Sequence, residues 1–508
     1  MLIDARELPE GSVIEGDVII AGGGMAGITL ARQLGDAGLD VVILESGGIT
    51  SDQRTQALYD GRTTLACARG ETKDLGDYLH ASRVRYFGGS GNVWGGKCAP
   101  LDPIDFEKRD WIPYSGWPIT RAQMQPFYDR ACNTLTLQQF GATAQSVIGR
   151  RDPVLAERSD SFTLRPRRYT ATTGAIGSAY ETFKRSTAEH RRVRVYLHAN
   201  VNRVRVAEDG ENVEHLDVLE LNGRRHSARA RTYVLALGGI ENVRLLLASN
   251  GIHRTGIGNH SDWLGRAFQV HTVISRDANT SLSLHCPQDQ LAIFDNTKRD
   301  QPHVVIGASD TAQRKHRSVN FTATLTRPPS DDSPRSAAVP ILARRLSGAA
   351  ERAHRGVYFM IEHTPNRDSR LVLVPDDLDE LGMPRIRLDA RYNEIDIESF
   401  DRSVGMLARE LGRLNAGRVQ WRARREELLS LMGGPSRHHM GATRMATSRV
   451  DGVVDEHCRV HDISNLYVAG SSVFPTSGIA NPTLTLLALV HRLGDHLAET
   501  MRRNHAAA

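Results

Sequence analysis

The sequence predicts an α/β protein in which a Rossmann-like dinucleotide-binding domain is joined to a second, substrate-binding domain built on an antiparallel sheet. Three observations carry that prediction. A strand–glycine turn–helix–strand unit opens the chain, a second strand–glycine–helix unit follows near residue 235, and residues 271–435 change to short alternating strand-like segments. At 508 residues the chain is too long for one simple core, and 40% hydrophobic against 24% charged residues with 45 glycines is a folded, globular composition.

The opening unit begins with the apolar run Val18 to Ala21. It turns through Gly22, Gly24 and Gly27 of the stretch GGGMAG, then enters a helix in which Leu30 and Leu34 stand four residues apart, ending at Gly38. Val41 to Leu44 is the next strand and closes on Glu45, 18 positions after Gly27. A G-x-G-x-x-G turn alone is weak evidence. In a βαβ unit its glycines let the backbone approach a pyrophosphate at a helix N-terminus, and Glu45 is placed to accept from an adenosine ribose, which disfavours a 2′-phosphate and leaves FAD or NAD. From residue 50 to 130 the chain is rich in loops, and Tyr86 to Gly96 carries two glycine clusters around Trp94, which suits close backbone approach to a large planar cofactor.

Strands return at Val193 to Leu197 and Val201 to Val206, and the apolar run Tyr233 to Leu237 meets Gly238 and a helix through Ser249, reading as a further strand of the nucleotide-binding sheet. Within residues 271–435, the segments Gly356 to Ile361, Arg370 to Val374 and Arg385 to Leu388 are assigned to a substrate-facing sheet, and Arg327 to Pro334 to a surface loop, either a lid or a plain linker. From Ser436 the chain returns to glycine-rich turns. His438 and His439 are candidate proton acceptors for an alcohol, and alternation in extended backbone predicts that only one of them faces a given cavity. Asn481, Pro482 and Thr483 start a closing helix with an apolar stripe of Leu486, Val490, Leu493 and Leu497. Asn481 reads as its N-cap, and the positive end of the helix is suited to a reduced flavin.

Other classes are disfavoured. The net charge of +5 arises from 64 basic against 59 acidic residues spread along the chain, so nucleic acid is not expected, and Arg344-Arg345 and the stretch Arg422 to Arg425 read as solvated faces. Five scattered cysteines, Cys67, Cys98, Cys132, Cys286 and Cys458, suggest neither a disulfide framework nor a metal ribbon, and argue against a flavin-dependent disulfide reductase. The acidic N-terminus and the lack of an apolar run of roughly 18 residues predict a cytoplasmic protein without a membrane span. No further ligands stand near the two histidines, so no metal is expected.

The four segments GGGMAG with Glu45, FGGSGNVWGG followed by WIPYSGW, VLALGGIENVRLLLAS, and HHMGATRM with NLYVAGSSVFPTSGIANPTLT together resemble the glucose-methanol-choline (GMC) oxidoreductase family, in its pyranose oxidase and C-glycoside oxidase branch. The resemblance implies an FAD-binding domain of residues 1–270, including the loop 80–100, a substrate domain of residues 271–435, and a return segment 436–508. It implies FAD held by Gly22, Gly24, Gly27 and Glu45, with Gly88, Gly89, Ser90, Asn92 and Val93 near the pyrophosphate and ring, and Val201 and Gly238 toward the adenine. Gly470, Pro482 and Thr483 would approach the ring from below. By the same matching His438 is the catalytic base and Asn481 the partner that orients the substrate hydroxyl, with His439 passive. The implied reaction moves a hydride from a sugar or glycoside carbinol to flavin N5, with O2 or a quinone-type compound as the final acceptor. A GMC dehydrogenase acting on a non-sugar alcohol is the alternative. Where pyranose 2-oxidases tether the flavin through histidine this chain has Val93, so the FAD is expected to be non-covalent. Ala442-Thr443 departs from the Gly-Thr or Thr-His of many relatives, and oligomeric state is not indicated.

Overall fold

The computed structural model describes residues 1–140, 159–170, 179–274, 281–284, 294, 303–326, 353–420 and 432–507. The Arg327 to Pro334 loop, Arg344-Arg345, Arg422 to Arg425 and Cys286 lie outside the described residues.

The nucleotide-binding sheet is built as its sequence pattern requires. Val13–Ala21, with Val18, Ile19, Ile20 and Ala21 fully buried, sits between Val41–Leu44 and Arg225–Leu235, all three parallel. Such continuous apolar runs suit strands covered on both faces. Val193–Leu197 and then Leu2–Asp4 extend the sheet in parallel beyond Val41–Leu44, and Leu466–Val468, from the far end of the chain, pairs parallel with Tyr233 to Leu235. The other end of Arg225–Leu235 carries the antiparallel strands Val213–Leu219 and Asn200–Val206. The first helix, Met25–Asp36, buries Leu30 and Leu34 on the sheet as predicted, and the closing helix, Thr483–Ala507, packs on it and on Arg121–Thr134. At Gly27 a Cβ would stand 2.0 Å from the carbonyl oxygen of Gly22, so only glycine lets this helix leave the turn.

The second sheet is antiparallel throughout. Among the described residues its path runs Gly417–Gln420, Ser281–Leu284, Ala353–Ile361, Phe321–Thr326, His303–Ala308, Phe162–Tyr169 and Lys97–Cys98, with Thr272–Ile274 bridging Ala353–Ile361 to Met432–Pro435. Its last two path strands come from before residue 271. The strand expected at Gly356 to Ile361 is here, but those at Arg370 to Val374 and Arg385 to Leu388 are not. They form Arg370–Leu378 and Pro384–Tyr392, which join Gly61–Cys67 and Thr72–Asp74 in a separate four-stranded sheet. Alternation marks a strand but carries no information on its partner, which here is a segment more than 300 residues away.

Two buried devices join the parts. Arg109 and Glu362, both fully buried, form a two-pronged ion pair, with Nη1 donating to Oε2 at 2.8 Å and Nη2 to Oε1 at 2.5 Å. Trp117 Nε1 donates to Thr476 Oγ1 at 2.8 Å, which donates to the Asp105 carbonyl at 2.8 Å, so the WIPYSGW segment braces the loop before the closing helix. Cys67, Cys98, Cys132 and Cys458 are buried and unbridged, and no helix among the described residues is long and apolar enough to cross a membrane.

Candidate active site

A cavity of about 1070 Å³ lies where the two main sheets meet the returning C-terminal segment. Gly22, Gly24, Glu45, Gly89, Ser90, Val93, Val201, Gly238, Gly470, Pro482 and Thr483 line it, together with His438 and Asn481. Gly27, Gly88 and Asn92 do not. Gly27 is the helix–turn contact described above. Gly88 has φ +105°, its N–H donates to the Gly23 carbonyl at 2.8 Å and its own carbonyl accepts from Tyr180 Oη at 2.8 Å. Asn92 donates to the Phe87 carbonyl at 3.0 Å and accepts from Lys184 Nζ at 3.1 Å. Gly88 holds the glycine loop against the turn, Asn92 ties that loop to itself and to the helix Ala179–Ala188, and neither faces the cavity.

At the nucleotide end, Met25–Asp36 points its N-terminus at the cavity with no side chain capping it, leaving first-turn N–H groups for an anion. Glu45 Oε2 accepts from Gly23 N–H at 2.8 Å and Oε1 from Gly47 N–H at 2.9 Å, which fixes the carboxylate while leaving it lone pairs for hydroxyl donors. Burial pushes its pKa up. Nearby, Glu241 is gripped by Arg83 at 2.8 Å, Arg85 at 3.3 Å and Arg244 at 3.4 Å. Despite burial, which acts the other way, these guanidinium groups hold its pKa down at about 2. Neither this cluster nor its place on the wall was visible in the sequence.

At the opposite end of the chain, residues 436–440 run beside 269–271. Gln269 and Met440 exchange backbone hydrogen bonds at 2.8 and 2.9 Å, and Ser436 N–H donates to the His271 carbonyl at 3.1 Å. This pairing brings His271 Nδ1 within 2.9 Å of His438 Nδ1. The protonation pattern then follows by elimination. His271 Nε2 faces the Gly478 carbonyl at 3.1 Å and must carry its proton, so His271 Nδ1 is the acceptor and His438 Nδ1 the donor. His438 Nε2 is therefore left as a lone pair, 3.0 Å from Asn481 Nδ2. Burial, with His271 and Lys97 adding to it, pushes the His438 pKa down to about 3, and burial pushes His271 to about 4, so both rings are neutral at pH 7. Asn481 Oδ1 is buried without a hydrogen-bond partner.

Two expectations change here. His439 also lines the cavity, because residues 437–439 follow the strand Met432–Pro435 in irregular backbone where alternation does not apply. Its Nε2 lies 2.9 Å from Tyr78 Oη, which donates to the Ser436 carbonyl at 2.7 Å, so His439 is the donor in that pair and holds no free lone pair at Nε2. Asn481 is not the N-cap. The helix begins at Thr483, the Pro482 carbonyl accepts the first intrahelical bond from Leu486 N–H at 2.8 Å, and the asparagine side chain turns to His438 instead. His271 had no sequence signal, since it stands in no motif and reaches the site only through strand pairing.

Residues 365–489 match the family model described as GMC oxidoreductase. The C-terminal part of the chain is a GMC oxidoreductase domain. That match supports an FAD-dependent enzyme acting on CH–OH groups. The chain is 25% identical to paromamine 6′-oxidase of Streptomyces fradiae over 97% of this chain and 93% of that one. It is 34% identical to C-glycoside 3-oxidase of Arthrobacter globiformis over 27% of this chain and 25% of that one. Among solved structures it resembles pyridoxine 4-oxidase from "Mesorbium loti", with a TM-score of 0.57, 18% identity and coverage of 94% of this chain and 98% of that chain. The cavity fits the FAD that this likeness implies. It offers an uncapped helix N-terminus, a fixed carboxylate at the second strand's end, and the start of a 25-residue helix at Pro482 and Thr483 whose positive end favours a reduced, negatively charged ring.

Proposed function

We propose that this enzyme oxidises a secondary hydroxyl of a sugar or glycoside, at pyranose C2 or C3, to the keto-sugar. The observation that carries the reading is the His438 Nε2 lone pair, set beside the unpartnered Asn481 Oδ1 in the same cavity as the glycine turn and Glu45. Relatives named for paromamine and C-glycoside oxidation support the carbohydrate class. In this reading residues 1–270 and 436–508 form the FAD-binding domain and residues 271–435 the substrate domain. Bound FAD supplies a two-electron acceptor for the carbinol hydrogen, regenerated by O2 or a quinone-type compound.

The chain's own residues do the rest. The substrate O–H donates to His438 Nε2, and Asn481 Nδ2, freed from that nitrogen, donates to the same oxygen. As the C–H bond is broken the hydroxyl proton passes to His438. The resulting imidazolium keeps its orientation because Nδ1–H is still bonded to His271. Val93 offers no nucleophile, so the FAD is held non-covalently, and acid precipitation of the protein should release all of its yellow colour. The deciding experiment is anaerobic stopped-flow reduction against free sugars, O- and C-glycosides and simple alcohols. Bleaching by the carbohydrates is expected, whereas bleaching by aliphatic or aromatic alcohols alone would replace this reading with a non-sugar alcohol dehydrogenase. His438→Ala should slow bleaching by about 10²–10⁴-fold while the protein stays yellow, and an unchanged rate would remove His438 as the base.

A further inference from the structure

One part of the cavity wall has no role in the proton path. Lys97 and Tyr169 face each other as paired residues of two antiparallel strands, and Tyr358 comes from Ala353–Ile361 of the same sheet; all three line the cavity with His438. Lys97 Nζ donates to Tyr358 Oη at 3.4 Å, a long bond for an ammonium with three protons to place. Burial, with the Arg167 guanidinium adding to it, lowers the Lys97 pKa from its ordinary value; the ammonium in turn helps depress the His438 titration, and both cations act on Tyr358. Among the described residues no carboxylate answers the ammonium: the two that line the cavity are committed, Glu45 to the Gly23 and Gly47 N–H groups and Glu241 to three arginines, and Lys97 has no ion pair. A half-buried ammonium with unspent donors beside a reaction site is a binding group for oxygen, and one that repels cations.

We propose that Lys97, with Tyr358, is a sugar-oxygen subsite whose positive charge makes the enzyme accept neutral and acidic sugars and reject aminosugars, a selectivity that would part it from its relative named for paromamine. This inference rests on the carbohydrate reading above and narrows it. The test is anaerobic flavin reduction of the holoenzyme by D-glucose, D-glucuronate and D-glucosamine and by their methyl glycosides, comparing reduction rate over Kd. Two charges some 4–6 Å apart at a partly buried site interact strongly enough for the wild type to disfavour the amine by at least about tenfold against its neutral counterpart. Lys97→Met should bring that ratio to within about threefold, and Lys97→Arg should keep it, each variant being checked for retained flavin absorbance. If Lys97→Met loses the flavin, Lys97→Gln, which removes the charge but keeps a polar end, takes its place and the same ratio decides the matter. Glucosamine reacting within threefold of glucose in the wild type overturns the subsite, as does an equal drop for all three sugars in Lys97→Met, which would assign the ammonium to the flavin. Bleaching by none of the neutral sugars overturns instead the carbohydrate reading itself, and this inference with it.

Discussion

The two ends of the cavity are built on different principles. The nucleotide end is made of neighbours in sequence: Gly22 to Gly27 and Glu45 belong to one strand–turn–helix–strand unit, and its working parts are backbone N–H groups, a helix terminus and one carboxylate. The reaction end collects Lys97, His271, Tyr358, His438 and Asn481 from five distant stretches, through antiparallel pairing and a returning loop, and its working parts are side chains. Glu45 apart, the first depends on the path of the backbone rather than on side-chain chemistry. The second depends on single atoms and their protonation. Substitutions at the first end should therefore cost cofactor, and substitutions at the second should cost rate or selectivity at constant colour.

The largest expected effect is at Gly27. In Gly27→Val the new Cβ would stand 2.0 Å from the Gly22 carbonyl oxygen, a backbone atom that cannot swing aside, with Ile20 Cγ2 a further contact at 3.2 Å. The variant is expected to be purified colourless or not to fold, and retention of a full complement of FAD would show that the close helix–turn approach is not required.

Next in size is the brace between the parts. Glu362→Gln leaves the fully buried Arg109 guanidinium without its countercharge, and removing one partner of a buried pair costs about 3–5 kcal/mol. Denaturant unfolding should show that loss with the flavin still bound under native conditions. A cost below about 1 kcal/mol would mean that the pair merely replaces an equally stable apolar contact.

A smaller effect, confined to rate, is expected at His271. His271→Leu removes the acceptor that fixes His438 with its proton on Nδ1, so the lone pair at Nε2 is no longer guaranteed. A fall of about 10–100-fold in flavin reduction is expected with substrate Kd nearly unchanged, in line with the value of a positioned base. His271→Asn, whose side-chain oxygen can accept from His438 Nδ1, should recover part of the rate. A merely structural role would instead raise Kd, lower colour and rate with it, and show no such recovery.

Legibility followed the same division. Gly22, Gly24, Glu45 and the first helix could be read because a local pattern and a backbone function coincide. His438 and Asn481 could be singled out as residue types, but the residue that sets the tautomer of His438 could not, because His271 is joined to it by a pairing across 167 positions of sequence. The same ignorance of partners put Arg370 to Val374 and Arg385 to Leu388 in the wrong sheet. Asn481 shows a local rule giving a plausible but incorrect role: Asn-Pro-Thr before a helix reads as a cap, and the side chain is spent on the histidine instead.

The last effect concerns pH, and it separates the two ends by sign. His271 and His363 are fully buried, and burial holds both near pKa 4, below the roughly 6.5 of an unfolded chain. Between those values the unfolded chain binds protons that the folded one does not. Their contribution is complete above about pH 6.5 and is lost as pH falls, by up to about 1.4 kcal/mol per site and pH unit. Glu45 runs the other way: burial raises its pKa, so its contribution is present at low pH and declines as pH rises through that raised value. Acidification from pH 7 to 5 should therefore lower the thermal midpoint, and hydrogen exchange should speed up first in residues 269–271 and 436–440 while the helix Met25–Asp36 stays protected. Loosening that began in that helix would mean that the cavity's weak point in acid is its nucleotide end, and that the buried histidines do not govern it.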